Sequence, residues 1–412
     1  MLTLVLIILT IFLITSFILT NSPKSFPPGP TKFPFIGSIS FMFDICEITK
    51  TQTLIHAIFK NVDKYGKIFG FYMGSQPFVV IADYDILREV MKNESMCDRQ
   101  DMTPVNEYRP GHWTLGNDNK GRQPGITFSQ GNYWKEQRRF FLRNLRDFGF
   151  GKSEMETTLA EEVEKLCDEY SKFVDVPFCL DNTLNLSVVN SLWAILTGEK
   201  LDLRDKKLWK MVSLFNKTVK NVKNIGNLFL ALTPPWCIRK NPFFDSEKNS
   251  GLDIWKEALQ SLTSILEDQV KAHKLTSDDD SSRDMMDLYL NQIKSTHDLD
   301  SSFYQERGHF AMINGFIDLF IAGMETTSSS LLWTFLYMLH HPDIKNQIHQ
   351  ELDQVVLFKC VILMLSNIFK GVDFNIHIHN IIYSQFIIGC WKRRDSMSLS
   401  HGKPSLYECY VT

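Results

Sequence analysis

The longest apolar pattern in the chain runs over residues 316–341, FIDLFIAGMETTSSSLLWTFLYMLHH. Phe316, Leu319, Phe320 and Gly323 fall at i, i+3, i+4 and i+7, the spacing of one buried helix face, and Leu331, Leu332, Phe335 and Leu339 resume the apolar run after a polar insert. Pro342 disfavours helical geometry at His341 and suits the first turn of a new helix, so a second, amphipathic helix follows through Ile344, Ile348, Leu352 and Val355. Upstream, Ile68 to Tyr72 and Phe78 to Ile81 read as two short strands around Gly74-Ser75-Gln76-Pro77, with a helix from Asp83 onward. Residues 153–175, 183–220 and 252–274 read mainly as helices, with Trp193 and Leu196 on a buried face. Pro234-Pro235 and Asn241-Pro242 break the pattern, and His273 to Asp284, with SDDDSSRD at its heart, reads as a solvated loop. The expected fold is mainly α with a small N-terminal β-sheet.

Leu2 to Thr20 contains no charged residue. At about 1.5 Å per residue such a stretch reaches roughly 28 Å, close to the width of a bilayer core. Residues 1–20 are therefore expected to form a single N-terminal membrane helix. Lys24 and Lys32 follow it, which places the bulk of the chain in the cytosol. A cleaved signal peptide is the rival reading, but no basic residue precedes the apolar run. Residues 21–37 hold Phe26-Pro27-Pro28-Gly29-Pro30, which cannot be helical and is expected to act as a stiff hinge between membrane and domain.

The polar insert of the long helix is Glu325, Thr326 and Thr327. A carboxylate taken out of water costs several kcal/mol unless it is paired or protonated, so packing alone does not explain an acid here. Gly323 removes a side chain one turn before Thr327 and opens a notch in the backbone, and Thr326 can bond back to the carbonyl of Ala322. An acid and an alcohol at the lip of such a notch can relay protons to a bound reactant. The competing reading is a Ser/Thr-rich face hydrogen-bonded to a neighbouring helix.

Ala322-Gly323-Met324-Glu325-Thr326-Thr327 resembles the oxygen-activation motif, Ala/Gly-Gly-x-Asp/Glu-Thr-Thr, of the cytochrome P450 monooxygenases, and the passage through His341-Pro342 to Gln350-Glu351-Leu352 is similar to the helix that follows it. Residues 125–146, GITFSQGNYWKEQRRFFLRNLR, resemble the family's Trp-x-x-x-Arg helix, with Trp134 and Arg138 one turn apart. The resemblance implies a partial cytochrome P450 fold over residues 38–356. It implies heme as cofactor, with Trp134 and Arg138 at a heme propionate, Ala322, Gly323 and Thr327 shaping the oxygen notch, and Glu325 and Thr326 handling protons. Arginine suits the propionate because its fork donates two parallel hydrogen bonds. It further implies a small lipophilic substrate, NADPH electrons passed through an NADPH-cytochrome reductase, residence at the endoplasmic reticulum membrane, and a substrate-channel roof near 205–245.

Lys135, Arg138, Arg139, Arg143 and Arg146 form a basic stripe. It reads as a solvated face or, by the resemblance, as the surface on which the reductase docks. A net charge of −3 argues against a dedicated nucleic-acid binder. The eight cysteines include no close Cys-x-x-Cys pair, His377 and His379 have no third ligand near them, and no metal-ligand set is expected.

Two family features are missing from the sequence. None of Cys360, Cys390 or Cys409 has an Arg two before it or a Gly two after it, as the family's Phe-x-x-Gly-x-Arg-x-Cys-x-Gly loop requires. The match to Glu-x-x-Arg, Glu136 to Arg139, is a chance overlap inside the Trp-x-x-x-Arg helix. Residues 357–412 read as an atypical tail, with eight isoleucines between Leu357 and Trp391 and no clear period. A frame run into non-coding sequence and an alternatively spliced end both explain it. Two rivals to a working monooxygenase follow. One is a membrane-anchored chain without the heme-ligand cysteine and without chemistry. The other is a lumenal helical protein, which sequons at Asn93, Asn185 and Asn216 would permit.

Overall fold

The computed structural model describes residues within 23–355, apart from 34–36, 42–43, 45–53, 75, 100–107, 112–123, 149–152, 174–179, 202–205, 222–251 and 277–281. The expected anchor at 1–20, the tail at 357–412 with its two histidines, and much of the expected roof lie outside the described residues. Among the described residues no helix is long and apolar enough to cross a membrane.

Helix α1 (Leu54–Tyr65) leads into β1 (Ile68–Met73) and β2 (Gln76–Ile81), which pair antiparallel with Ile68 opposite Ile81 and Met73 opposite Gln76. Phe69 and Phe71 bury one face of β1 against Phe41 and Ala57. The proline-rich segment does not hang free as a spacer. Its carbonyls can accept even where prolines cannot donate, and the Gly70 amide donates to Pro28 O at 2.9 Å. Ser38, wholly buried, donates its hydroxyl to Pro30 O and takes the Tyr72 amide, which straps Pro28, Pro30 and Ser38 to β1.

The helices follow: α2 (Tyr84–Val90), α3 (Gly131–Asp147), α4 (Ser153–Ser171), α5 (Asp181–Thr197), α6 (Lys206–Asn221), α7 (Leu252–Thr276), α8 (Met285–Ser295), α9 (Gln305–His340) and α10 (Pro342–Val355). Asp83 caps α2 by accepting from the amides of Asp85 and Ile86. The stretch expected as helical over 183–220 is two helices, parted where Gly198 takes φ +68°. The long helix ends where Pro342 requires but begins at Gln305, well before Phe316. Its stretch from Ala311 through Asp318 is buried on every side, so no amphipathic period marks this part of the helix. Around it the main core gathers Trp193 and Leu196 of α5, Phe215 of α6, Leu262 of α7 and Tyr289 of α8.

The solvated-loop reading of 273–284 is corrected at both ends. His273 lies in the last turn of α7 and is buried, and Asp284 is the buried N-cap of α8. His273 Nδ1 meets Gln269 O at 2.8 Å and Nε2 meets Asp284 Oδ2 at 2.9 Å. Both ring nitrogens therefore face acceptors, an arrangement that favours the imidazolium. The hydrogen bond to Asp284 raises its pKa above the ordinary value.

Candidate functional site

Helix α9 satisfies several of its hydroxyls internally. Thr326 Oγ1 donates to Ala322 O at 2.6 Å, Ser330 Oγ to Thr326 O at 2.8 Å and Thr334 Oγ1 to Ser330 O at 2.8 Å. The Thr326 bond is the one expected from sequence, and the series along one helix carries polar side chains through an apolar element without orphaned donors. Ala322 and Thr327 stand exposed on this half of α9. Gly323 is partly buried, and a Cβ there would come within 3.1 Å of Leu192 Cδ2, so its bare backbone also lets α5 approach closely. Glu325 is half-buried rather than fully withdrawn from water, and Ser329 Oγ donates to its Oε1 at 3.1 Å.

The deeply buried acid of α9 is a different one. Asp318, 5% exposed, pairs with Arg109, 4% exposed, at 2.5 Å and also accepts the amides of Ile126 at 2.7 Å and Thr127 at 2.9 Å. Asn314, one turn before it, donates to Pro110 O at 2.8 Å. One carboxylate and one amide thus hold both the 108–111 and the 124–129 segments against α9. Gly125 is required there: its φ is +102°, and a Cβ would lie 2.5 Å from Asp318 Oδ2. The expectation drawn from sequence fixed on Glu325 and passed over Asp318. Its signal, an acid inside the apolar run FIDLF, was equally visible.

On α3, Tyr133, Gln137, Phe141, Asn144 and Leu145 form the buried face. Trp134 lies on its flank, half-buried, and Arg138 is exposed with its guanidinium 5.4 Å from the Trp134 ring centre, a cation over a π-face. The two line a groove of about 730 Å³ with Arg139, Leu142, Arg143 and Arg146 and with Cys97 and Glu94 from earlier in the chain. The basic stripe is therefore one wall of a concave surface. Lys135 leaves it partly neutralised by pairing with Glu94 at 2.7 Å.

The two halves of the expected site sit on helices that touch. Phe141 of α3 meets Phe316 of α9 with ring centres 6.0 Å apart and packs over Gly315. Trp134 and Arg138 pair with each other, while Ala322, Gly323, Thr326 and Thr327 occupy α9 about two turns beyond that crossing.

A set of three groups that could meet at a metal, His273, Asp284 and Asp287, was not expected from sequence. Its atoms are already committed. Asp287 takes Arg283 Nε at 2.6 Å and Nη2 at 3.0 Å, and Asp284 takes the imidazolium and the Asp287 amide. The cluster is a charge-balanced clasp between α7 and α8.

The cytochrome P450 family model matches residues 27–364. Cytochrome P450 2L1 of Panulirus argus is 28% identical over 342 residues, which are 82% of this chain and 64% of that protein. Cytochrome P450 2J5 of Mus musculus is 30% identical over 357 residues, 86% of this chain and 65% of that protein. Cytochrome P450 2J2 of Homo sapiens is 27% identical over 350 residues, 84% and 63% respectively. The chain therefore spans under two thirds of the length of these relatives. With most of its own length matched by the family model, the chain belongs to the cytochrome P450 family.

Proposed function

We propose that the chain serves a heme-dependent monooxygenase, which inserts one oxygen atom of O2 into a small lipophilic substrate with NADPH electrons delivered by a reductase at the endoplasmic reticulum membrane. The observation that carries this reading is the 2.6 Å bond from Thr326 Oγ1 to Ala322 O beside the exposed Ala322 and Thr327, a small-residue face with a hydroxyl held at its edge. The residues fit the rim and the wall of a heme. Arg138, with its guanidinium over the Trp134 ring, presents a cation to a carboxylate, and the exposed Ala322 and Thr327 leave room for a flat macrocycle.

The fit stops at the iron. Cys97, at the groove, has Ser95 two before it and Arg99 two after, and Cys167 has Lys165 and Glu169, so neither described thiol stands in the Arg-x-Cys-x-Gly setting of the thiolate the family uses. When bound, heme supplies the oxygen chemistry. Trp134 and Arg138 would hold its carboxylates, and Thr326 and Glu325 would offer a hydroxyl and a carboxylate for protons.

A second reading is an anchored chain without monooxygenase activity, to be weighed because the Phe-x-x-Gly-x-Arg-x-Cys-x-Gly pattern is not among the residues of this chain. One experiment separates the two. The sequence-verified chain, purified with heme and reduced under carbon monoxide, shows the absorption of a thiolate-ligated iron if the first reading holds. Its absence with folded protein favours the second.

A further inference from the structure

Four polar side chains of α3, α8 and the turn before α9 form a one-way chain of three hydrogen bonds. The Tyr289 hydroxyl donates to Gln137 Oε1 at 2.6 Å, Gln137 Nε2 donates to Ser302 Oγ at 2.8 Å, and Ser302 Oγ donates to Glu136 Oε2 at 2.6 Å. The same carboxylate oxygen takes the Ser302 amide at 2.8 Å. Gln137 and Tyr289 are fully buried and Ser302 nearly so. Burial pushes the Tyr289 hydroxyl well above its ordinary pKa, so it remains a donor. The Glu136 carboxylate accepts, so Ser302 donates to it and takes the Gln137 amide, which leaves the Gln137 carbonyl to the Tyr289 hydroxyl.

These residues flank the groove-lining pair along α3: Glu136 and Gln137 fall between Trp134 and Arg138 in sequence and point away from the groove. The apolar contacts of α3, Tyr133, Phe141 and Leu145, hold it to the core but are non-directional. Hydrogen bonds are directional and resist rotation of the helix about its axis. Side-chain heads stand about 5–6 Å from a helix axis, so a roll of about 20° carries one through about 2 Å. That exceeds the tolerance of a two-pronged carboxylate contact.

We infer that Gln137, through Ser302 and Tyr289, is a positioning residue that sets the roll of α3 and thereby aims Trp134 and Arg138 at the carboxylates of the ligand in the groove. The inference rests on the reading that α3 holds a heme. Ser302 is the most telling position to change, because it lies on another element and touches neither Trp134 nor Arg138.

The test uses the full chain labelled with fluorotryptophan, its Trp134 resonance assigned with Trp134→Phe. Ser302→Ala and Tyr289→Phe move or broaden that resonance while helicity is retained, and Ser302→Thr, which keeps the hydroxyl, leaves it at the wild-type position. In parallel, the wild-type chain binds heme about tenfold or more tightly than heme dimethyl ester, and Ser302→Ala brings the two affinities together. An unchanged Trp134 resonance together with an unchanged affinity ratio in Ser302→Ala overturns the inference. If the wild-type chain does not distinguish heme from its ester, the carboxylate reading falls, and the Trp134 resonance alone decides whether the chain positions α3.

Discussion

Arg109 and Asp318 lie 209 residues apart in sequence and meet in an ion pair at 2.5 Å with both side chains almost wholly out of water. A charge left behind in such a place has no solvent to turn to. Asp318→Ala is therefore expected to destabilise the fold by about 3–5 kcal/mol. Arg109→Leu with Asp318→Leu recovers part of this and not all, since the amides of Ile126 and Thr127 lose their acceptor. Urea unfolding of the three proteins measures it. A wild-type midpoint in Asp318→Ala would show that the pair contributes nothing.

The contrast with Glu325 marks how far the sequence could be read. Interactions within one helix were legible: the Thr326 bond to Ala322 is an i to i−4 contact, and the end of α9 follows from Pro342 alone. Asp318 is as conspicuous an acid as Glu325, but its partner comes from a distant loop, and no local rule connects residues so far apart. The motif also drew the eye to the wrong acid for burial. His273 and Asp284 were submerged in a stretch whose average is polar, although the pairing that buries them is tertiary. The roll of α3 was hidden for the same reason, because Ser302 belongs to another element.

His273 makes stability depend on pH in a stated direction. Its pKa in the folded protein is raised by Asp284, so folding takes up a proton. The stabilisation is fully present below the ordinary value of 6.5 and is lost as pH rises through the folded value. The difference in urea midpoint between wild type and His273→Gln should shrink as pH is raised across that window. A difference that grows with pH would contradict the imidazolium assigned here.

The sequons offer a third test. Asn185 and Asn216 are buried and bonded to each other, Nδ2 to Oδ1 at 3.2 Å, whereas Asn93 is exposed. The folded chain cannot carry a glycan at the paired positions. Mass spectrometry of protein made in a glycosylating host is expected to find Asn185 and Asn216 unmodified. A glycan on either would overturn the packing of α5 on α6 and revive the lumenal reading.

The contact that joins the two halves of the site can be probed by a single methyl group. Alanine at Gly315 gains about 1 kcal/mol in helix propensity. Its Cβ would also meet Phe141 Cζ at 2.4 Å, and that ring, 1% exposed, has nowhere to go. Overpacking of this kind costs typically about 1–3 kcal/mol, so the clash outweighs the propensity and Gly315→Ala lowers stability. Phe141→Leu removes the atoms in conflict, and the double variant Gly315→Ala with Phe141→Leu should be less destabilised than the sum of the two single changes. Additive effects in a double-mutant cycle would mean that α3 and α9 are not held together at this crossing.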